Sequence, residues 1–156
     1  MKIKTSELSA SFINLAVAIA DKVELDSVES FKGKIYLWVR DKCNSGRLEL
    51  FSPATDWEQG GSIIEREKIS LLRCDDEYFT DSEGFTTSQR IPVWFAEHGG
   101  GHSLQEDYGS QGDYQGACFH VPSEGQYGET SLIAAMRCYV ACKLGESVDI
   151  PEELLK

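Results

Sequence analysis

The sequence lacks any apolar run approaching the roughly 20 residues that a membrane-spanning helix requires. Its first seven residues are also too polar to form the apolar centre of a signal peptide. Both absences argue against an integral membrane protein and against a secreted one. We therefore predict a cytoplasmic protein that makes no contact with a membrane.

Sequence motifs of the large enzyme classes are also missing. No Walker-type phosphate loop, no GxSxG nucleophile turn and no HExxH zinc motif occurs in the chain. The glycine triplet at 99–101 is not followed by lysine, and the acids at 75–77 lack the ligand spacing of a calcium loop. No catalytic residue is predicted from a motif, and the sequence favours a protein that is not an enzyme.

The residue types that bind zinc are present without a recognised spacing. His98, His102, Cys118 and His120 are four such residues, but their intervals match no recurrent structural zinc arrangement. The five cysteines are an odd number, which is typical of reduced thiols packed as small apolar side chains. We predict no metal, no cofactor and no disulfide.

Basic residues are almost absent from residues 75–129. This region carries eleven acids and one base, Arg90, whereas the rest of the chain carries fifteen acids and fourteen bases. An acidic surface repels nucleic-acid phosphates and attracts basic protein surfaces. The imbalance therefore predicts no direct binding of nucleic acid and favours a protein partner, with simple solubility as the alternative.

The length and the hydrophobic periodicity indicate one α+β domain. Its 156 residues are the size of a single domain. Apolar residues recur at helical spacing from Leu8 to Val23, Ile19 included, and again between a capping Thr130 and a terminating Gly145. We expect these first and last helices to pack on one face of a small antiparallel sheet of about four strands.

The strands of that sheet are predicted from β-branched and aromatic runs. Residues 35–51 are typical of a hairpin, and further strands are expected at 69–73, 91–96 and 117–121. Pro92 favours an edge position for the strand at 91–96. Residues 23–33 are interpreted as a connection. The glycine-rich acidic stretch at 97–116 is interpreted as a long loop.

Residues 51–70 hold the candidate site. Thr55 and Glu58 form the pattern of a capping box, Gly60 and Gly61 are expected to stop that helical turn, and Ser62 is expected to start a second short helix.

Five side chains in that segment are candidates for binding. They are Asp56, Trp57, Gln59, Glu65 and Arg66. Asp56 and Glu65 are an acid–base pair if the short elements fold back on each other, which is the chemistry of a small hydrolase or transferase. The purely structural alternative assigns Trp57 to core packing and pairs Glu65 with Arg66.

Segments 4–8, 15–18, 51–70 and 132–153 resemble the NinX-like family of proteins from lambdoid phages and prophages. The resemblance implies a phage or prophage gene and an accessory role, and the family is a domain of unknown molecular function from which no catalytic residue is transferred. With the charge pattern it suggests binding to a host or phage protein. A mimic of nucleic-acid charge and a self-assembling protein remain alternatives.

Overall fold

In a computed structural model, the structure describes residues 1–40, 46–80, 84, 86–98, 104–108, 114–119 and 125–152. The helices are α1 at Ala10–Ala20, α2 at Trp57–Glu67 and α3 at Ser131–Leu144, and a 3₁₀ turn at Thr5–Glu7 precedes α1. The strands are β1 (Lys2–Lys4), β2 (Leu25–Phe31), β3 (Lys34–Arg40), β4 (Leu48–Leu50), β5 (Ile69–Thr80), β6 (Thr86–His98), β7 (Leu104–Tyr108), β8 (Tyr114–Phe119), β9 (Gln126–Gly128) and β10 (Ser147–Asp149).

The mixed α+β class predicted from the sequence is confirmed, and all strand pairs are antiparallel. The described strands form small sheets in the orders β1–β10, β2–β3–β4, β5–β6–β9 and β7–β8. Helices α1 and α3 pack against each other, α1 also contacts β3, and α3 contacts β5, β6 and β9. The first and last helices thus share one apolar interior with the two three-stranded sheets.

Helix α3 is the centre of that interior. Thr130 caps it by accepting a hydrogen bond from the Ile133 N–H at 3.2 Å, and Gly145 ends it at φ 93°. Both termini lie where the sequence predicted them. Its side chains are buried on nearly every side, since Met136, Tyr139 and Val140 lie among neighbours from α1, α2 and β6.

Helix α1 is shorter than the apolar periodicity suggested. Its buried residues run consecutively from Ile13 to Ala18, because the middle of the helix is enclosed by α3 and β3. Ile19, predicted in the buried stripe, is 44% exposed in the last turn. Leu8 is buried, but it lies between the 3₁₀ turn and α1, outside the helix.

The stretch at 23–33, predicted as a connection, contains β2. This strand pairs with β3 through a two-residue turn in which Lys32 and Gly33 have φ values of 50° and 74°. Positive φ at both positions is the type I′ geometry that suits the twist of a hairpin. The hairpin predicted at 35–51 is confirmed by the β3–β4 pairing, and β2 makes it a three-stranded sheet. The turn residues 41–45 lie outside the described part of the chain.

Strands β5 and β6 confirm the predicted strands at 69–73 and 91–96, and β8 confirms the one near 117–121. The predicted edge position is wrong for the strand as a whole, because β6 lies between β5 and β9. The β9 pairing covers only Trp94 to Ala96, so within the described strands Pro92 has a neighbouring strand on one side, β5. Pro92 lies at the register break opposite Cys74–Asp76, where a bulge frees one residue from the backbone ladder.

The interpretation of 97–116 as a loop is corrected over its described residues. Glu97 and His98 end β6, and Leu104–Tyr108 pairs with β8 as strand β7. The backbone hydrogen bonds of a paired strand outweigh the weak local propensity of this glycine-rich stretch. Residues 99–103 and 109–113 lie outside the described part of the chain.

The two ends of the chain pair with each other. Strand β1 lies against β10, with Ile3 opposite Val148, and the terminal amino group donates to the Ile150 carbonyl at 2.7 Å. Val148 and Ile150 are buried, so the segment that follows α3 belongs to the core. Within the described ranges, none of the helices has the length and apolar character needed to cross a bilayer.

Candidate functional site

Helix α2 begins one residue later than the capping-box pattern suggested. Asp56 is its N-cap, and the Asp56 carboxylate accepts a hydrogen bond from the Glu58 N–H at 2.9 Å. The Thr55 hydroxyl donates instead to the Ser52 carbonyl at 3.3 Å, so it is not the cap. A carboxylate in this position also interacts favourably with the positive end of the helix dipole. Asp56 therefore has a structural role.

The predicted break at the double glycine is wrong, since α2 runs without interruption through both residues. A Cβ atom at Gly60 would lie 2.3 Å from the Pro53 carbonyl oxygen and 2.7 Å from Leu132 Cδ2. Gly60 therefore lets α2 approach the preceding turn and α3 closely. Tertiary packing at this point overrides the poor helix propensity of glycine.

Gln59 is a structural clamp. Its Nε2 donates to the Leu50 carbonyl at 2.8 Å, and its Oε1 accepts from the Ser52 N–H at 2.8 Å. The two hydrogen bonds fasten the first turn of α2 to the end of β4. Both functional atoms of the Gln59 amide are therefore held by the backbone, which gives this side chain a structural role.

Trp57 lies on the surface. Its side chain is 58% exposed, which excludes the alternative that it fills the core. Its ring lies beside Gly61, where a Cβ atom would be 3.6 Å from Trp57 Cε3. Exposed tryptophan is enriched at positions that dominate protein–protein contacts. Of the five predicted site residues, Trp57 is the one placed best for contact with a partner.

Asp56 and Glu65 are not brought together. They lie nine residues apart along the single helix α2, which separates them by about 13 Å along its axis. The two carboxylates were expected to meet only if the helix broke at Gly60 and Gly61 and the two halves folded back on each other. Helix α2 has no such break. Both carboxylates are therefore unavailable as an acid–base pair.

The end of α2 enters a cluster of charged and polar side chains. Arg66 Nη2 donates to the Asp21 carboxylate at 2.8 and 3.1 Å, and Arg66 Nε donates to Glu67 at 2.9 Å. Arg66 also lies 3.3 Å from the Tyr139 hydroxyl. The predicted pairing with Glu65 is wrong, because Glu65 points to solvent and Arg66 reaches the residue that follows α1.

Glu67 is the acceptor shared by this cluster. Lys143 Nζ lies 3.0 Å and His98 Nε2 3.5 Å from its carboxylate. Hydrogen bonds from Lys143 and Arg66 lower the pKa of Glu67 from 4.5 to about 2. The Tyr139 hydroxyl donates to Asp21, and burial together with that hydrogen bond raises the tyrosine pKa. The cluster joins the ends of three helices and β6, and its charges are neutralised internally.

The ion pairs of Glu67 give a pH-dependent prediction. The Glu67→Gln variant should have a free energy of unfolding lower by about 1 kcal/mol at pH 7, a modest value because the cationic partners are half exposed. The folded-state pKa is depressed, so the stabilisation is present above pH 4.5 and is lost as the pH falls towards 2. Denaturant unfolding at several pH values measures the difference, with Glu65→Gln as an exposed control. If the difference in the free energy of unfolding between wild type and Glu67→Gln stayed constant down to pH 2, the depressed pKa of Glu67 would be wrong.

The cysteines and the zinc-ligand residues are only partly described. Cys138 is buried, and burial raises its thiol pKa to about 12, whereas Cys142 is exposed. Cys142 therefore departs from the expectation of core packing. His98 is paired with Glu67, and among the described residues no three metal-ligating side chains lie close enough to hold an ion. His102 and His120 lie outside the described residues.

A groove that the sequence did not predict lies beside the start of α2. It encloses about 480 Å³ between the first turn of α1, the β2–β3 turn and the segment from Leu50 to Thr55. Ser9, Asn14, Lys34 and Phe51 are among its lining residues, while Asp56, Trp57 and Gln59 are not. The sequence signal for this groove is Lys32-Gly33-Lys34, which places two lysines at a glycine turn in a strongly acidic chain. The interpretation of 23–33 as a connection does not use this signal.

Comparison with known proteins gives one family. A family model described as "Bacteriophage P22, NinX" matches residues 4–89, which is more than half of the chain. The match covers β1 to the first residues of β6, and so includes the groove, helix α2 and the Arg66 side of the charged cluster. A search of the curated proteins finds no match.

Proposed function

The chain belongs to the NinX family of bacteriophage P22, and from this membership we propose that it is an accessory phage protein that binds a host or phage protein. The binding surface is the acidic region, which we define as residues 75–129. It acts in the cytoplasm of the bacterial host. Its role is association, and it catalyses no reaction.

The charge distribution is the observation that carries this proposal. The acidic region holds eleven acids and one base, and the remaining charges nearly cancel, so the region accounts for most of the net charge of −11. A field of one sign concentrated on one part of a protein accelerates association with an oppositely charged surface. The partner is therefore a protein with a basic face.

Backbone register gives the residues opposite three acids of this region. Glu106 and Asp107 lie in β7 opposite Ala117 and Gly116 of β8, so no basic residue faces them across the strand pair. Arg90, the single base, lies opposite Asp76 in the β5–β6 pair. Glu106 and Asp107 thus have no basic residue in register with them, in contrast to Asp76.

The structure removes the support for the competing hydrolase or transferase. That alternative depended on Asp56 and Glu65 meeting, and helix α2 keeps them apart. The charged side chains around Glu67 pair with one another. This is the arrangement expected of ion pairs that hold helix ends together.

Neutralising the β7–β8 acids tests the proposal. The triple variant Glu106→Gln, Asp107→Asn, Asp113→Asn should associate with its partner roughly tenfold more slowly at about 20 mM salt, because long-range attraction is weakened. At about 500 mM salt the two proteins should associate at similar rates, because screening already suppresses that attraction. Surface plasmon resonance with a partner captured from host lysate measures both rates.

A matched variant separates this region from total charge. Glu49→Gln, Glu146→Gln, Glu152→Gln removes three exposed acids elsewhere and should leave the association rate within about twofold. Equal slowing by both triple variants would show that net charge alone matters. If duplex DNA displaced the chain from its partner, the chain would be a mimic of nucleic-acid charge. If the captured partner were a second copy of the chain, the protein would be self-assembling.

A further inference from the structure

The groove beside α1 has an end suited to an anion. Helix α1 starts at Ser9, whose side chain makes no capping hydrogen bond and lies 3.4 Å from the Ser11 hydroxyl. The N–H groups of the first helical turn have no acceptor within the helix, and the helix dipole is positive at this end. Ser9 and Ser11 line the groove, so this helix end borders it.

Asn14 is a second, independent feature pointing to a ligand. It lines the groove although it is only 7% exposed, and its Oδ1 accepts the Ala54 N–H at 2.9 Å. Since a backbone N–H can only donate, this contact fixes the amide oxygen towards Ala54 and turns Nδ2 away from it. Among the described residues Nδ2 has no hydrogen-bond acceptor, and it is not one of the fully buried polar atoms that lack a partner, so this donor is open to the groove. A ligand oxygen in the groove supplies that acceptor.

Two lysines place positive charge at the same groove. Lys32 and Lys34 flank Gly33 in the β2–β3 turn, line the groove and are exposed. Neither makes an ion pair with a carboxylate in the part of the chain that the structure describes. The Lys32 ammonium lies 5.2 Å from the centre of the exposed Phe31 ring, which leaves its charge uncompensated. In a chain with a net charge of −11, two such lysines beside a helix N-terminus are a local reversal of sign.

The other walls of the groove are apolar and aromatic. Ile35, Tyr36, Leu50 and Phe51 contribute to them. The volume of about 480 Å³ falls in the range of sites for small organic molecules. The groove thus combines a cationic, donor-rich end with a wall on which a flat apolar group packs.

We propose that this groove binds a small phosphomonoester with an aromatic or apolar body, of about the size of a mononucleotide. The phosphate lies at the first turn of α1, where backbone N–H groups, Asn14 Nδ2 and the two lysines donate to it. The body of the ligand packs on Tyr36 and Phe51. This site is separate from the acidic region and does not depend on partner binding.

Titration followed by ¹H–¹⁵N NMR tests the proposal with three probes. Adenosine 5′-monophosphate should shift the amide signals of Ser9, Ser11 and Gly33 and bind more tightly than inorganic phosphate. Adenosine, which lacks the anion, should bind at least roughly tenfold more weakly than the monophosphate. Absence of shifts at these amides with millimolar monophosphate would overturn the proposal, and so would equal binding of phosphate and monophosphate.

Variants assign the anion contacts. Lys32→Gln combined with Lys34→Gln should weaken monophosphate binding roughly tenfold, whereas Lys2→Gln with Lys68→Gln should change it less than about twofold. Asn14→Asp keeps an oxygen for Ala54 but presents a carboxylate oxygen to the ligand, so it should abolish binding. A thermal melt of the Asn14→Asp variant shows whether that variant folds. If it does not fold, the Lys32/Lys34 variant decides the result, because both lysines are exposed. Unchanged affinity in the Lys32/Lys34 variant would overturn the assignment.

Discussion

Replacing Gly60 by alanine is expected to destabilise the protein by about 3 kcal/mol, even though alanine is the better helix former. The added Cβ atom would lie 2.3 Å from the Pro53 carbonyl oxygen and 2.7 Å from Leu132 Cδ2. The Pro53 oxygen belongs to the backbone, so relief requires α2 to move away from the turn that Gln59 fastens to it. Chemical denaturation followed by circular dichroism measures the change in the free energy of unfolding.

The adjacent glycine supplies the control. A Cβ atom at Gly61 would meet only Trp57 Cε3, at the ordinary contact distance of 3.6 Å. Gly61→Ala should therefore stabilise the protein, by up to about 1 kcal/mol, through helix propensity and loss of backbone entropy in the unfolded chain. If both substitutions changed the stability in the same direction, the close approach of α2 at Gly60 would be wrong.

Met136→Asp is expected to have the largest effect, a loss of roughly 4–5 kcal/mol that leaves little of a typical domain stability. Met136 has no exposed surface and lies in the middle of α3, between α1 and the β5–β6–β9 sheet. A carboxylate there must be buried without a partner or must be protonated. The thermal midpoint should fall by more than about 10 °C.

Two substitutions on the same helix make this result specific. Met136→Leu conserves volume and should cost less than about 1.5 kcal/mol, while Cys142→Asp places the same carboxylate at an exposed position and should cost less than about 1 kcal/mol. A wild-type melting curve for Met136→Asp would show that α3 presents another face to the core.

Helix α3 could be predicted from the sequence because all of its determinants are local. The cap Thr130, the apolar periodicity and the terminating Gly145 lie within sixteen residues and indicate the same element. The β3–β4 hairpin was predictable for a similar reason, since aromatic and β-branched residues flank turn-forming residues.

The elements that the sequence did not predict depend on distant partners. Strands β1 and β10 have three residues each, and they pair across almost the whole chain. Helix α2 has a glycine at position 60 because Pro53 and Leu132 leave no room there for a side chain. Local helix propensity does not depend on such distant neighbours. The two glycines therefore predicted the end of a helix where the structure has a continuous one.

The five candidate residues of 51–70 do not form one arrangement of side chains. Arg66 and Trp57 lie in very different environments, one in an ion-pair cluster with Asp21 and the other exposed. Besides the adjacent Glu67, the partners of Arg66 are Asp21, which follows α1, and Tyr139 of α3, and residue spacing within 51–70 cannot reveal these two. The groove is likewise formed by three separate segments, and only one of them belongs to that stretch.

Hydrogen–deuterium exchange of the protein with its captured partner tests the proposed function most directly. The account predicts that partner binding slows exchange within the acidic region, above all in β7 and β8, and leaves β2, β3 and the first turn of α1 unchanged. Loss of the protection in the Glu106/Asp107/Asp113 variant, together with its retention in the Glu49/Glu146/Glu152 variant, would support the role of charge. Protection confined to residues outside 75–129 would contradict the account.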